Sequence, residues 1–353
     1  MIDKPTSIRK GEEISSAKIS EFLRQQGISI DQPLEIEQFP SGYSNLTYFL
    51  KSGSHEWVLR RPPFGAKIKS AHDMGREFKV LSLLKPIYSK VPSPVVYCEN
   101  LDVMGAPFYI MERVKGVILR NKAPEDFHKK TWNMLSRSVI DQLVELHSLD
   151  IHKSGLIELG KPEGYAKRQV DGWIERYFNA KTDEIGSMEE VAEYMKSNIP
   201  EDKEPAMIHN DFKYDNLVLS PDDPSEIRAI LDWEMATVGD PMMDLATSLA
   251  YWSETEDHPA LRPFNLTWVE GNLSREGVVN YYEEKSGKKI SNLIFYYAYA
   301  SFKLGVICQQ IYARYKAGHT SDPRFAMLIE VVKACGENGL RAVQRNRISN
   351  LYS

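Results

Sequence analysis

Between residues 205 and 245 the chain gathers side chains whose types and spacing could do chemistry. The apolar approach Ala206-Met207-Ile208 runs into His209, Asn210 and Asp211; Lys213 and Asn216 follow. Next come the apolar triplet Leu217-Val218-Leu219, a turn at Pro221-Asp222-Asp223-Pro224, and a second apolar run from Ile227 that delivers Asp232. Two short apolar runs about a turn predict a hairpin. Asp211 and Asn216 then lie before its first strand and Asp232 just after its second, so a carboxylate and an amide are brought towards another carboxylate.

That set suits phosphoryl transfer. A nucleoside triphosphate such as ATP needs Mg²⁺ to hold its phosphates and offset developing charge. Asn216 and Asp232 supply hard oxygen ligands for the metal. Asp211 is free to orient an acceptor hydroxyl, and Lys213 to reach the transferring group. The bland alternative is a polar surface hairpin with ordinary acidic turns.

The segment His209-x-Asp211-x-Lys213-x-x-Asn216 resembles the catalytic loop of protein kinases and of the aminoglycoside phosphotransferase and choline kinase-like family. Ile230-Leu231-Asp232-Trp233-Glu234 is similar to that family's metal-binding segment, and Gly239-Asp240-Pro241 with Asp244-Leu245 to its next signature. Within the family the chain is most similar to the phosphotransferase domains joined to acyl-CoA dehydrogenases. The resemblance covers about residue 35 to about residue 330 and is most specific over 209–245. It implies an α+β, protein-kinase-like, two-lobed fold: a small antiparallel-sheet nucleotide-binding lobe over 1–115 and a large, mainly helical catalytic and acceptor-binding lobe over 116–353. It also implies ATP and Mg²⁺ as cofactors, and gives His209 a structural role in supporting the loop.

Composition is consistent with this. The 353 residues are 42% hydrophobic, enough for a large core in two lobes. The net charge of −5 and the lack of a basic tract argue against nucleic acid as partner. Cys98, Cys308 and Cys335 are too widely spaced for a metal motif or disulfide framework, which fits a reducing, cytoplasmic setting. The start lacks an apolar signal core, and no run approaches the length of a membrane span.

In the first lobe, residues 1–13 are polar and expected to be loose. Ser15 or Ser16 caps a short helix with Ile19, Phe22 and Leu23 on one face. The small-residue turn Ser41-Gly42-Tyr43-Ser44-Asn45 lies between two strand-like runs. On its own it is either an ordinary hairpin turn or a phosphate loop; the resemblance makes it the nucleotide loop, with contacts from Ser41, Gly42, Ser44 and Asn45. In the strand 56–61, the resemblance places Arg60 where protein kinases carry a phosphate-holding lysine. Its neighbour Arg61 faces the other way as a solvated charge. A helix over 71–84 buries Phe78, Leu81 and Leu84, and its Glu77 is the family's ion-pair partner for Arg60. Strand 107–112 leads to the backbone of Glu112 to Val114, which meets the adenine edge in the fold it resembles.

In the second lobe, Leu135, Val139, Leu143 and Leu146 mark a long helix ending at His147, read as a histidine at a helix C-terminus. Trp173 and Tyr177 share a helix face and are read as packing before acceptor binding. Asp240 caps a helix opened by Pro241, and Asp244 in its first turn braces the catalytic loop. The acidic loop 253–259 is either an attractor for an amine-bearing acceptor or a common surface turn. The aromatic helix from Leu293 is either packing or a dimer face, so a monomer and a homodimer both stay open. Only seven residues separate Asp232 from Asp240, too short a platform for a peptide. The substrate expected is therefore a small molecule, and the resemblance to the domains joined to acyl-CoA dehydrogenases implies a hydroxyacyl-CoA or another hydroxylated metabolite. A weakly active or inactive kinase-like nucleotide-binding regulator is the alternative, and a protein kinase a more distant one.

Overall fold

Alternating apolar residues in the first third of the chain close into one antiparallel sheet in the computed structural model, which describes residues 4–40, 45–65, 73–320 and 322–353. In chain order the elements are α1 (Ser16–Gln25), β1 (Glu35–Gln38), β2 (Leu46–Ser52), β3 (His55–Arg61), α2 (Met74–Leu84), β4 (Pro94–Cys98), α3 (Leu101–Met104), β5 (Phe108–Glu112), α4 (Lys129–His147), α5 (Tyr165–Ala180) and α6 (Gly186–Ser197). They continue with β6 (Ala206–Ile208), β7 (Leu217–Leu219), β8 (Ile227–Ile230), β9 (Thr237–Gly239), α7 (Pro241–Tyr251), α8 (Arg275–Ser286), α9 (Leu293–Lys316) and α10 (Leu328–Arg345). The fold is α+β and two-lobed, with a small antiparallel-sheet lobe and a larger helical one. Two compact units divide it: Met1–Ile118 with Leu217–Ala236, and Leu119–Asn216 with Thr237–Ser353.

In the first unit the sheet order is β1-β2-β3-β5-β4. The two-residue period puts Leu46, Tyr48 and Leu50, Trp57 and Leu59, and Phe108 and Ile110 on one face. Against that face α1, capped by Ser15, buries Ile19, Phe22 and Leu23. Each such side chain contributes about 1.5–3 kcal/mol when fully buried. The N-terminal segment is not loose where it is described. Thr6 and Gln38 exchange backbone hydrogen bonds of 2.8 and 2.9 Å, and the Tyr48 hydroxyl donates to the Glu12 carbonyl. Unpaired edge groups of β1 explain the docking.

Helix α2 starts at the Asp73 cap, and Ala71 and His72 lie outside the described residues. Its inner face is rotated from the expected one. Met74, Glu77, Val80, Leu81 and Leu84 are buried, while Phe78 is only partly so. Arg61 is also buried rather than solvated. Its side chain donates to the carbonyls of Pro62 and Met104 and stacks over Phe64.

The hairpin β7–β8 forms as its apolar runs predict, with Leu217 opposite Ile230 and Val218 opposite Ala229. It is built into the first unit. Leu219 and Val117 exchange backbone bonds of 2.8 and 2.9 Å, and Ile230 N–H donates to the Lys90 carbonyl. The close approach requires Gly116: a Cβ there would lie 2.3 Å from the Leu219 carbonyl oxygen.

The second unit is organised on α9, which is buried on every side from Phe295 to Val306 and is mostly aromatic and aliphatic over that stretch, as a central helix must be. Helices α5, α6, α7 and α10 pack on it. Trp173 and Tyr177 are buried there, the latter against Phe302. Strands β6 and β9 pair antiparallel, and Asp240 caps α7 by accepting from Met242 N–H. A Cβ on Gly239 would come within 2.6 Å of the Tyr165 ring, so this position of the Gly-Asp-Pro segment has no room for a side chain.

The polar tail beyond Arg345 is packed, with Ile348 and Leu351 buried. Arg275, fully buried, holds it. The guanidinium donates to the Trp252 and Ile348 carbonyls and pairs with Glu254 and Asp257. Removing one member of a buried ion-pair cluster costs about 3–5 kcal/mol. Arg275→Met is therefore expected to lower the melting temperature by several degrees and to speed tryptic cleavage at Arg347; thermal unfolding and timed proteolysis check both.

Candidate active site

In the second unit, β6 delivers His209, Asn210 and Asp211. Asn210 takes a left-handed conformation, φ +68°, which asparagine tolerates better than most residues. The turn leaves backbone N–H groups without strand partners, and Asp244 in the first turn of α7 accepts them. Its Oδ2 receives His209 N–H at 2.8 Å and its Oδ1 receives Asn210 N–H at 2.6 Å. His147 Nε2 lies 3.1 Å from Oδ2, and His147 Nδ1 lies 2.8 Å from the Tyr282 hydroxyl. Burial alone would raise the Asp244 carboxyl, but the bonds from His147 and His209 outweigh it and hold the group below the usual carboxylate range.

Asp211, Lys213 and Asn216 come together beyond that turn. Asn216 Nδ2 donates to the Asp211 carbonyl at 2.8 Å and to its Oδ2 at 2.9 Å. Lys213 Nζ stands 3.2 Å from the same Oδ2 and 4.8 Å from the centroid of the Tyr251 ring. Burial pulls the Lys213 ammonium down, yet Asp211, Tyr251 and Asp215 hold it well above its ordinary value. Tyr251 is itself hydrogen bonded to Asp211, and burial followed by that carboxylate pushes its phenol up. Tyr214 anchors the loop from below: its hydroxyl donates to Asn272 at 2.6 Å, and its ring packs between Trp132 and Trp252.

In the first unit, β3 carries Arg60 on the face opposite Arg61. Arg60 Nη1 pairs with Glu77 Oε1, and Nη2 lies 2.9 Å from Asp232 Oδ1 and 3.9 Å from Glu234 Oε2. Burial disfavours the Arg60 charge, but Glu77, Tyr109, Asp232 and Glu234 keep the guanidinium firmly charged. Asp232 also has a positive φ, +65°. Trp233 after it is buried, with Nε1 donating to the Ile230 carbonyl and the ring edge-on to Tyr88. Asn45 Nδ2 donates to Glu234 Oε2 at 2.8 Å.

The donor chemistry fits Mg²⁺ with a nucleotide. Among the described residues, Glu77, Asp232 and Glu234 face the Arg60 guanidinium in the first unit, and every donor is a hard oxygen, the ligand type a divalent cation such as Mg²⁺ prefers. In the second unit, Asn216 gives its nitrogen to Asp211 and so presents its amide oxygen as a ligand atom. Among the described residues no group of three or more acidic, histidine or cysteine side chains forms a metal cage. Mg²⁺ in nucleotide sites is held by one or two such groups with phosphates and water, so an all-protein cage is not required for it.

Ser41, Gly42 and Ser44 lie outside the described residues, as do Lys67 and Lys69. Glu112 is exposed at the end of β5 and its N–H donates to the Ser93 carbonyl; Val114 follows in the partly buried segment after the strand. The acidic loop is not a free negative surface. Glu254 and Asp257 turn inward onto Arg275, and Glu254 also receives Ser349 Oγ. Sequence reasoning missed Tyr251, the Asn45–Glu234 bond and the His147–Tyr282 link. Their partners are far apart in the chain and no local pattern signals them.

A family model described as the phosphotransferase enzyme family matches residues 35–276. Acyl-CoA dehydrogenase family member 11 is 34% identical in Rattus norvegicus over 88% of this chain and 32% identical in Homo sapiens over 93%. The chain spans only 40% and 42% of those proteins' lengths. Among solved structures, a Ralstonia eutropha protein assigned as an aminoglycoside phosphotransferase is 26% identical, with a TM-score of 0.81 over 94% of this chain and 99% of that one. A spectinomycin phosphotransferase solved with ADP and spectinomycin shares the fold, at 13% identity and a TM-score of 0.60 over 91% of this chain and 94% of its own. With the family model covering more than half of its length, and with the catalytic segment carried on the fold just described, the chain belongs to the phosphotransferase enzyme family.

Proposed function

We propose that this chain is an ATP- and Mg²⁺-dependent phosphotransferase that phosphorylates a hydroxyl of a small molecule. The carrying observation is the Asp211 carboxylate, held by Asn216 and Lys213 on a loop fixed by Asp244. In this reading residues 1–115 bind the nucleotide, with Ser41, Gly42, Ser44, Asn45, Arg60, Glu77, Glu112 and Val114 as its contacts. Residues 116–353 supply catalysis and the acceptor site. Asn216 and Asp232 hold Mg²⁺. When bound, Mg²⁺ and ATP supply the phosphoryl donor and offset charge on its oxygens.

The chain's own residues do the rest. Arg60, fixed by Glu77, holds non-transferred phosphates through a guanidinium that cannot lose its charge. Lys213, kept protonated by Asp211, offsets charge on the moving group. Asp211 orients the acceptor hydroxyl and accepts its proton late in transfer, which a weak base can do when the transition state is loose.

The names of the matched acyl-CoA dehydrogenase family proteins favour a hydroxyacyl-CoA or another hydroxylated metabolite as acceptor. Arg120 and Lys122 are exposed cations in the larger helical lobe, Arg120 donating to the Asp215 carbonyl at 3.2 Å and Lys122 standing 3.6 Å from Glu125. A cytoplasmic setting fits three free, buried cysteines, and a monomer or homodimer fits the reading. Among the described residues no helix is long and apolar enough to cross a membrane. A regulatory nucleotide-binding module is the second reading, favoured only by Arg60 in place of a lysine.

Asp232→Ala is expected to abolish Mg-ATP binding in calorimetric titration, while Asp211→Ala retains most of it; equal losses would mean that the two roles are misassigned. Arg60→Ala is expected to weaken Mg-ATP by about ten- to a hundredfold, the worth of one charged hydrogen-bonding group, and Arg61→Met to leave affinity unchanged despite lower stability. The reverse ranking would place the phosphates on the other face of β3. With γ-labelled ATP, hydroxyacyl-CoAs, sugars, amino alcohols and aminoglycosides are screened for label. The expected product is a phosphorylated small molecule, formed about 10²–10⁴-fold more slowly by Asp211→Asn. Label on protein alone would overturn the reading, and tight nucleotide binding with no transfer would favour the regulator.

A further inference from the structure

Helix α9 is apolar around Phe302, Leu304 and Val306, yet between them it buries Lys303, which is 2% exposed. An ammonium carries three donors. Here Nζ meets three acceptors: the Asn210 carbonyl at 3.1 Å, Asn210 Oδ1 at 3.4 Å and Thr247 Oγ1 at 3.4 Å. The Trp173 ring of α5 lies 5.9 Å away. Among the described residues no ion pair ties Lys303 to a carboxylate; its direct partners are neutral. A buried charge costs more than an apolar side chain of the same length, so its retention calls for a reason beyond packing.

That reason lies in what it holds. Asn210 immediately precedes Asp211, and its left-handed backbone sets the direction in which the Asp211 carboxylate leaves the turn. Each polar atom of Asn210 is gripped: N–H by Asp244, the carbonyl and Oδ1 by Lys303, and Nδ2 by the Tyr165 hydroxyl at 3.4 Å. We propose that Lys303 is a positioning residue of the transfer reaction, which fixes the Asn210 turn and through it the aim of Asp211. The inference rests on the phosphotransferase reading above.

Three acceptors need three donors, so the grip depends on the proton. The neutral amine has two hydrogens and leaves one acceptor unserved. The charged groups acting on Lys303 are Asp244 from α7 and Asp211 from the loop; α5 offers the neutral Trp173, and α6 and α10 meet α9 two residues on, at Gly305, through Met188 and Cys335. Burial lowers the Lys303 ammonium to about 8, against the upward pull of the two carboxylates. Because the folded value is lowered, the unfolded chain holds this proton up to higher pH. The cost of burying the charge is thus full below about 8 and is relieved as pH rises above it. The grip on Asn210 moves oppositely: complete below about 8, incomplete above. Turnover is therefore expected to fall through a pH range in which stability does not.

The test uses the full chain as wild type, Lys303→Met and Lys303→Arg. Mg-ATP binding is followed by calorimetry, and release of γ-labelled phosphate to water is followed from about pH 6.5 to about pH 9.5. Lys303→Met is expected to bind Mg-ATP within about twofold of wild type and to turn it over about ten- to a hundredfold more slowly, as misplacement of a catalytic group does. Wild-type turnover should fall along a limb near 8, and that limb should be absent from Lys303→Arg, whose charge persists. Wild-type turnover by folded Lys303→Met, or the same limb in Lys303→Arg, overturns the proposal. Hydrogen exchange of the peptide 206–216, corrected for intrinsic pH dependence, gives a readout free of catalysis. Protection should drop above about 8 in wild type only, and a pH-independent wild-type pattern also overturns it. Should wild type fail to bind Mg-ATP, the phosphotransferase reading falls, while the exchange data still decide the role of Lys303.

Discussion

Two buried backbone N–H groups in the catalytic turn need acceptors that no strand provides, and one carboxylate serves both. Asp244 grips the turn at His209 and Asn210, receives His147, and itself stands in the first turn of α7, where the helix dipole favours a negative charge. Each charge-assisted bond is worth about 1.5–3 kcal/mol, and an orphaned buried N–H costs a comparable amount. The surroundings serve this one carboxylate. The β6–β9 pair brings the turn and the start of α7 into register, Asp240 caps the helix, and Gly239 admits the Tyr165 ring. Asp211 inherits its position from these contacts and from the Lys303 grip on the other side of Asn210.

The first unit solves a different electrostatic problem. Arg60 meets Glu77 through one terminal nitrogen and Asp232 through the other, at angles that its planar fork fixes. A lysine at this position would offer a single nitrogen to both acids. The departure from the protein-kinase pattern at Arg60 is thus matched to two acceptors at once. Asn45, held by Glu234, is placed by the same cluster.

Most of the architecture was legible because its signals are local. Ser15 and Asp240 cap their helices, the two apolar runs about Pro221 to Pro224 form the hairpin, and residues 46–61 alternate as strands. Asp211, Asn216 and Asp232 stood out because their spacing is a sequence property. The misreadings share one cause, partners remote in the chain. Arg61 looks like a surface charge until Met104 supplies a carbonyl, and the acids of 253–259 look free until Arg275 and Ser349 meet them. Glu77 and Phe78 differ by one residue, and which of them turns inward is decided by Arg60 rather than by hydrophobic period. Lys303 gives no warning at all, since a lysine in an apolar helix reads as a break in its pattern.

The β7–β8 hairpin belongs to the first unit although it is encoded after most of the catalytic loop. That unit is therefore discontinuous in the chain: the segment ending at Ile118 lacks the strands that bond to Val117 and Lys90. On a ribosome adding roughly 5–20 residues per second, the early sheet waits several seconds while Leu119–Asn216 is made. Only when Ala236 has emerged can the first unit finish folding, and by then the second unit is itself half synthesised. Neither unit can be cut out as one contiguous piece, so a gene fusion or duplication that carries one must carry the other. The interleaving makes the pair a single heritable block.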